Sequence, residues 1–305
     1  MGAAPVDSGL DSGSPSTARH YGANASCPIM IAMPPDPREP PRRRKQLGQH
    51  FLTRPEVCRP LVEFLAPADR TVLEIGPGAG TLTRALLESG ARVVAWELDL
   101  RWTFELRRAL AGEACSLIAG DALELPWRRL PGAWLVSGNL PYNVATRIIL
   151  DLVESTLEPA GAAVDSRRAG FLVQKEGAER LVAGPGSAAY GSLSVLVAAF
   201  AEVVRLGDVA PGAFSPPPKV DSSFVGLVSR SPVIGPAEYP RFKELVRAAF
   251  ALRRKTLRNS LATVLGREAA AALVRAADLP PSARAEALGL DEFVGLSRLF
   301  TPPPG

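Results

Sequence analysis

The stretch Thr71-Val72-Leu73-Glu74-Ile75-Gly76-Pro77-Gly78-Ala79-Gly80-Thr81-Leu82-Thr83 joins an apolar, β-branched run to a loop with three alternate glycines, which leads into the helical run Arg84 to Ser89. The first five residues have the length and composition of a buried strand. A strand, glycine loop and helix in that order let backbone N–H groups approach a nucleotide-like ligand closely. A dinucleotide fingerprint places its third glycine at the sixth position, which counted from Gly76 is Thr81, so the spacing argues against NAD. The predicted fold is α/β with a sheet whose strand ends carry the site.

Downstream the pattern repeats. Arg92 to Trp96 reads as a second strand ending at Glu97, about 20 residues beyond the glycines, where a carboxylate can accept both hydroxyls of a ribose. Ser116 to Ala119 reads as a third, ending at Gly120-Asp121, where an Asp could accept from an adenine amine. Either acid alone reads more simply as a helix cap; the ordered set does not. A fourth run, Ala133-Trp134-Leu135-Val136, leads into Gly138-Asn139-Leu140-Pro141-Tyr142. Ligands bind at the carboxyl edge of open α/β sheets, and Pro141 predicts a non-helical turn that exposes the Asn amide and the Tyr ring. An amide offers an acceptor and a donor pair, and a Tyr face stacks on planar rings, which suits a base carrying an exocyclic amine.

A helical pattern follows from about Ala145 to Leu157, then a strand Ala169 to Gln174 and a helix whose Lys175, Glu176, Glu179 and Arg180 read as a solvated face. Val209 to Ser222 is a proline-stiffened loop before the strand Ser223 to Val228. Its Phe214 reads either as a surface hydrophobe or as a stacking platform for a base opposite Tyr142. From about Ala237 the pattern changes to amphipathic helices, Tyr239 to Ala251, Lys255 to Leu265, Arg267 to Ala277 and Leu290 to Phe300, a second and all-helical domain. The junction Leu252-Arg253-Arg254-Lys255-Thr256-Leu257-Arg258 concentrates four cations in a plausible phosphate-binding edge, against a solubilising helix face at even odds.

Upstream, residues 1–40 are rich in Pro, Ser, Gly and Ala without a period and are expected to be disordered. They show neither a secretory nor a transit pattern, and translation starting at Met30 or Met33 is one reading of them. The cluster Arg42-Arg43-Arg44-Lys45 then runs into Gln46-Leu47-Gly48-Gln49-His50-Phe51-Leu52, read as a solvated tail or as phosphate contact beside the site. Thr53, Pro55 and Glu56 predict a helix start with a capping box, and a helix to about Leu65.

Composition sets the bounds. With 305 residues, 47% hydrophobic and 22% charged, the chain is long enough for two domains and a sizeable core. Lys and Arg outnumber Asp and Glu by 35 to 31, a mildly basic balance that permits a polyanionic partner. Cys27, Cys58 and Cys115 match no metal-ligand spacing and imply a reducing, cytoplasmic setting without structural disulfides. With only His20 and His50, zinc chemistry and a Ser-His-Asp triad are poor candidates, and no metal is expected. No apolar run reaches the roughly 18 residues of a membrane span, so a soluble protein is expected.

With these motifs in order, residues 42–300 resemble the KsgA family of ribosomal RNA adenine dimethyltransferases. The marks are Gln46 to Leu52, Glu74-Ile75-Gly76-Pro77-Gly78, Asn139-Leu140-Pro141-Tyr142, Phe214 with Pro216, Pro218 and Ser222, and Arg253-Arg254-Lys255. The resemblance implies a Rossmann-like class I methyltransferase domain, residues 41–235, a small helical RNA-binding domain, residues 236–300, and a short tail, residues 301–305. It implies S-adenosylmethionine as cofactor, with Gly76 and Gly78 at its methionine part, Glu97 at its ribose and Asp121 at its adenine, with Leu52 lining the pocket through its main chain, and with Asn139 also among the cofactor-binding residues. Asn139 and the Leu140 carbonyl would accept from the target amine, and Tyr142 and Phe214 would sandwich the flipped base. Arg43, Arg44, Lys45, Arg253, Arg254, Lys255 and Arg258 would contact RNA. The chain departs from the family at His50, where Asn is usual and lines the cofactor pocket; the His50 backbone is the expected contact. The implied substrate is a pair of adjacent adenines in a hairpin near the 3′ end of small-subunit rRNA, each methylated twice within an immature small subunit by a monomeric enzyme. Two other readings stay open: a large-subunit rRNA methyltransferase of the antibiotic-resistance type, whose usual tetrapeptide has Ile in place of Leu140, and a non-catalytic ribosome-assembly factor on the same fold.

Overall fold

A computed structural model describes residues 50–127, 130, 134–157 and 168–301. The tail 1–40 and the cations Arg43, Arg44 and Lys45 lie outside the described residues, as do residues 302–305.

The chain runs β1 (Phe51–Leu52), α1 (Arg59–Leu65), β2 (Thr71–Ile75), α2 (Thr81–Glu88), β3 (Arg92–Glu97), α3 (Leu100–Ala109), β4 (Cys115–Ala119), β5 (Leu135–Asn139), α4 (Ala145–Glu154), β6 (Arg168–Gln174), α5 (Lys175–Val182), α6 (Ser192–Ala198), β7 (Ala201–Val209), β8 (Phe214–Ser215), β9 (Ser222–Ser229), α7 (Tyr239–Ala249), α8 (Leu257–Leu265), α9 (Arg267–Ala276) and α10 (Leu290–Leu299). Seven strands form one sheet in the order β4-β3-β2-β5-β6-β9-β7. The first five run parallel, and β9 and β7 complete the sheet antiparallel. β1 and β8 pair as a separate two-stranded sheet.

That order fixes where a ligand can enter. From β2 the chain winds outward through β3 to β4, then returns to place β5 on the other side of β2, so the connections after β2 and β5 leave in opposite directions. The crevice outside their carboxyl ends is the switch point where open α/β sheets bind ligands. The two strands must come close there. Gly138 pairs with Ile75, and a Cβ at Gly138 would lie 2.5 Å from the Ile75 carbonyl oxygen, so only glycine fits inside this strand.

Alternation along β2 feeds two cores. Leu73 and Ile75 face a large apolar cluster with Val136, Phe171 and Ile148, and Val72 faces a smaller one with Leu61, Leu82 and Leu86. Phe242, Phe293 and Phe300 of the C-terminal helices belong to the large cluster, so those helices bury their apolar stripe in the same core as one face of the sheet.

Three local features differ from the sequence reading. Thr53 forms no capping box: its Oγ1 donates to the Ala213 carbonyl at 3.1 Å, and a short 3₁₀ turn, Pro55–Cys58, precedes α1. The apolar run Ser192 to Ala201 divides into α6 and the start of β7, an edge strand whose Glu202, Arg205 and Asp208 and a bulge between Arg205 and Gly207 hide the alternation. α3, capped by Asp99 accepting from the Arg101 N–H, has no counterpart in the sequence reading.

Candidate active site

The half of the crevice outside β2, β3 and β4 is built from backbone. Gly76 and Gly78 both take left-handed conformations, φ +67° and +52°, that make the loop a tight turn. A Cβ at Gly78 would lie 2.4 Å from the Phe51 ring, which covers the loop and packs edge-on against Trp102 at 4.9 Å. Glu97, at the end of β3, is 5% exposed. Its Oε2 accepts from the Gly78 N–H at 3.0 Å and its Oε1 from the Asp99 N–H at 2.8 Å. Burial raises the pKa of this carboxyl, and those backbone donors oppose the rise. Each oxygen retains a further lone pair for a ligand hydroxyl.

Glu74 sits deeper, 1% exposed, on the wall of the same cavity. Its Oε2 has no hydrogen-bond partner, and burial above all, with the charge of Glu97 adding to it, pushes its carboxyl up to about 8. Asp121 also lines the cavity, but its Oδ1 accepts from the Leu123 N–H at 2.9 Å, so it caps a short 3₁₀ turn, as its simplest sequence reading had it, while facing the site. Leu52 lines the cavity and gives its carbonyl to the Thr81 hydroxyl at 2.6 Å.

The half outside β5 is built from side chains. Asn139 closes β5, and its Nδ2 donates to the His50 carbonyl at 2.8 Å, leaving Oδ1 as the atom to accept from a ligand amine. Leu140 is fully buried, its N–H donating to the Leu172 carbonyl of β6 at 3.1 Å, so the turn is pinned to the sheet. The Tyr142 hydroxyl lies 2.7 Å from the Ser222 hydroxyl at the start of β9. On its face, the His50 ring stacks at 5.8 Å between centroids and 22° between planes. Partial burial raises the Tyr142 pKa, so the phenol stays neutral.

One expectation is overturned in this structure. Phe214 is 4% exposed and packs in the smaller core with Leu52, Leu61 and Phe224, so it is neither a surface hydrophobe nor a free platform facing Tyr142. The cause is local pairing: β8 adds to β1 with Phe214 opposite Leu52, which turns the ring inward where burying it is most favourable. The ring beside Tyr142 is that of His50.

Of the basic residues, Arg253, Arg254 and Lys255 are exposed between α7 and α8, Arg258 is exposed in the first turn of α8, and none is part of this cavity. Arg253 donates to the Ala188 carbonyl at 2.5 Å. Lys255 and Arg258, with Arg267 at the start of α9, line a separate cleft. The sequence reading did not assign Phe51, Trp96, Thr81 or Ser222 a role at the site; Phe51 and Trp96 line the cavity, each against a glycine distant in the chain, Gly78 and Gly120, a juxtaposition that no local pattern carries.

The chain is similar to proteins already described. A family model described as ribosomal RNA adenine dimethylase matches residues 41–300. A protein named ribosomal RNA small subunit methyltransferase A from Pseudomonas fluorescens is 42% identical over 270 residues, 86% of this chain and 96% of its own. One of the same name from a Synechococcus is 42% identical over 267 residues, 85% of this chain and 94% of its own. Among solved structures, a dimethyladenosine transferase from Plasmodium falciparum superposes with a TM-score of 0.66 at 23% identity, over 81% of this chain and 96% of its own. The 23S rRNA methyltransferase ErmE superposes with a TM-score of 0.61 at 24% identity, over 81% of this chain and 98% of its own. Those two establish the fold, a Rossmann-like class I methyltransferase domain followed by helices; the matches in sequence establish more, and on them this chain belongs to the ribosomal RNA adenine dimethylase family.

Proposed function

We propose that this protein is an rRNA adenine N6,N6-dimethyltransferase that uses S-adenosylmethionine to methylate two adjacent adenines in the 3′-terminal hairpin of small-subunit rRNA during ribosome assembly. The observation that carries the reading is the meeting, at one switch point, of a glycine loop beside Glu97 and Asp121 with an Asn139 amide and a Tyr142 ring. The first set fits the cofactor: a backbone cradle that Cβ atoms would fill, carboxylates with lone pairs to spare, and the unpartnered Glu74 oxygen. The second fits a flipped base.

S-adenosylmethionine supplies a methyl group already activated on a positively charged sulfur. The chain's own task is therefore alignment, which can lower a barrier by several kcal/mol without a strong base. Asn139 Oδ1 and the Leu140 carbonyl accept from the adenine N6 hydrogens. Those two bonds turn the nitrogen lone pair out of the ring's plane and toward the methyl carbon. Tyr142 holds the base by its face, offsetting the stacking lost when the base leaves its helix.

In this reading the exposed cations Arg253, Arg254, Lys255 and Arg258 form an RNA-phosphate surface with Arg267, and Arg43, Arg44 and Lys45 are further RNA contacts. The enzyme works in the cytoplasm as a monomer on an immature small subunit. No described helix is long and apolar enough to cross a membrane.

The test is methyl transfer from labelled S-adenosylmethionine to unmethylated small subunits, mature large subunits and naked rRNA, with the modified nucleotides mapped. Dimethyladenosine at adjacent positions near the 3′ end of the small-subunit RNA is the expected result. Label in large-subunit RNA instead would establish the resistance-type activity. Binding of cofactor and subunits without any label would leave an assembly factor.

A further inference from the structure

Asn143 follows the stacking tyrosine, and its side chain is unspent in the fold. α4 begins just beyond it, with Val144 at its N-cap position and no side-chain cap. The N–H groups of Val144 and Ala145 both donate to the Pro141 carbonyl, at 3.1 and 3.0 Å, so backbone alone closes the turn. An Asn in a turn before a helix ordinarily serves as a cap, and here that explanation fails. The Asn143 amide is exposed, lines the cavity together with Asn139, Leu140 and Tyr142, and has no hydrogen-bond partner among the described residues. Asn139 differs: its Nδ2 is spent on the His50 carbonyl, so toward a ligand it can only accept. The base-holding half therefore has two acceptors, Asn139 Oδ1 and the Leu140 carbonyl, matched to the hydrogens of an adenine amine. Beside that amine adenine carries a ring acceptor, N1 on its Watson–Crick edge, and acceptors alone would leave it unmet.

We propose that Asn143 is a specificity-determining residue for the target base, its Nδ2 donating to adenine N1. The inference rests on the reading of Asn139 and Tyr142 as the base-holding pair. A flipped base is read through hydrogen bonds to its Watson–Crick edge, and Asn143 is the cavity's free donor beside the groups that take the amine. Guanine carries a carbonyl oxygen in place of the amine and an N–H in place of N1, so it reverses both positions and is rejected by the pair. The contact is to the base alone, so its loss should lower kcat/KM and leave cofactor affinity unchanged.

The test is a series at one position on the full-length chain. Asn143→Ala should lower kcat/KM for methyl transfer about tenfold, the loss of one hydrogen bond to a base whose N1 is then left unmet, with the dissociation constant for S-adenosylhomocysteine within about twofold of wild type. Asn143→Asp keeps the shape and would serve the turn equally well, but it cannot donate, so it should be no better than Asn143→Ala. Wild-type rates in Asn143→Asp would overturn the proposal, as would a cofactor dissociation constant raised in step with the loss of rate. A second readout does not depend on which RNA is the substrate. A short single-stranded RNA with one adenine, bound to the S-adenosylhomocysteine complex, is compared by fluorescence anisotropy with the same RNA carrying 1-deazaadenine or 7-deazaadenine. Wild type should bind the 1-deaza RNA about fivefold more weakly than the other two, and Asn143→Ala should bind all three alike. Equal binding of all three by wild type, a preference kept by Asn143→Ala, or a penalty on the 7-deaza RNA in place of the 1-deaza one would each sink the role of Asn143 even if methyl transfer to the small subunit is established. The expected pattern with no transfer to small subunits would keep the role of Asn143 and reject the assigned substrate.

Discussion

The two halves of the crevice are assembled in opposite ways. Outside β2, β3 and β4, the contacts pair backbone N–H groups with carboxylates within one stretch of about fifty residues: Gly78 and Asp99 on Glu97, Leu123 on Asp121. Outside β5, they join residues far apart in the chain: the Asn139 amide to the His50 carbonyl across 89 positions, and the Tyr142 hydroxyl to the Ser222 hydroxyl across 80. A backbone cradle is set once the strands pair and can be spoiled only by changing its glycines. A ring held by two distant side chains can be loosened one contact at a time. The first half should therefore fail abruptly when altered and the second by degrees.

The largest effect is expected at Gly78. A side chain there meets both a left-handed φ and the Phe51 ring, and moving that ring aside fills the cavity. Gly78→Val should weaken S-adenosylhomocysteine binding at least about 100-fold by titration calorimetry, the sum of backbone strain and lost space. Binding within about tenfold of wild type would show that the cradle is less rigid than its geometry implies.

Next comes Tyr142→Ala, which removes the stacking face. At ~1–3 kcal/mol per stacked base, kcat/KM should fall about 30-fold with cofactor affinity kept. Ser222→Ala is smaller: a lost hydroxyl contact of ~1 kcal/mol predicts about a fivefold fall in kcat, and Tyr142→Phe should match it because it removes the other end of the same bond. A double mutant no worse than either single would establish the coupling.

The fold was legible in the sequence because its signals are local. The strand-glycine-helix unit at Thr71 to Thr83, the ends of β3 and β4, and the onset of helices near Tyr239 all lie within windows a periodicity can reach. That Gly76, Gly78, Glu97 and Asp121 line one cavity was legible for the same reason. Phe214 was not, because whether its ring faces a ligand or the core depends on β8 pairing with β1, some 160 residues away, and no local pattern carries that information. His50 was read through its backbone; its ring contact with Tyr142 required the three-dimensional structure. β7 escaped because an edge strand with charged residues and a bulge loses its alternation.

The smallest effect separates the halves by pH. Glu74 has a folded value of about 8 against an ordinary 4.5, so the folded chain binds more protons than the unfolded one between those values. Stability therefore falls as pH rises through that window. Glu74→Gln, which cannot ionise, should gain in thermal stability relative to wild type as pH rises from 4.5 toward 8, read as the change in the difference of Tm between the two proteins. A constant difference across the window would mean that Glu74 is ionised in the folded protein.

The most direct measurement of the division between the halves is Asn139→Ala, assayed for both cofactor affinity and single-turnover methyl transfer. Asn139 sits at the border, its amide held by His50 and its strand paired with the glycine-loop strand. The expected result is a dissociation constant for S-adenosylhomocysteine within about threefold of wild type, with transfer slowed about 100-fold or more, the loss of an oriented acceptor felt in the transition state. Cofactor affinity falling as far as the rate would contradict the account, because it would place Asn139 in the cofactor cradle and not in the base-holding half.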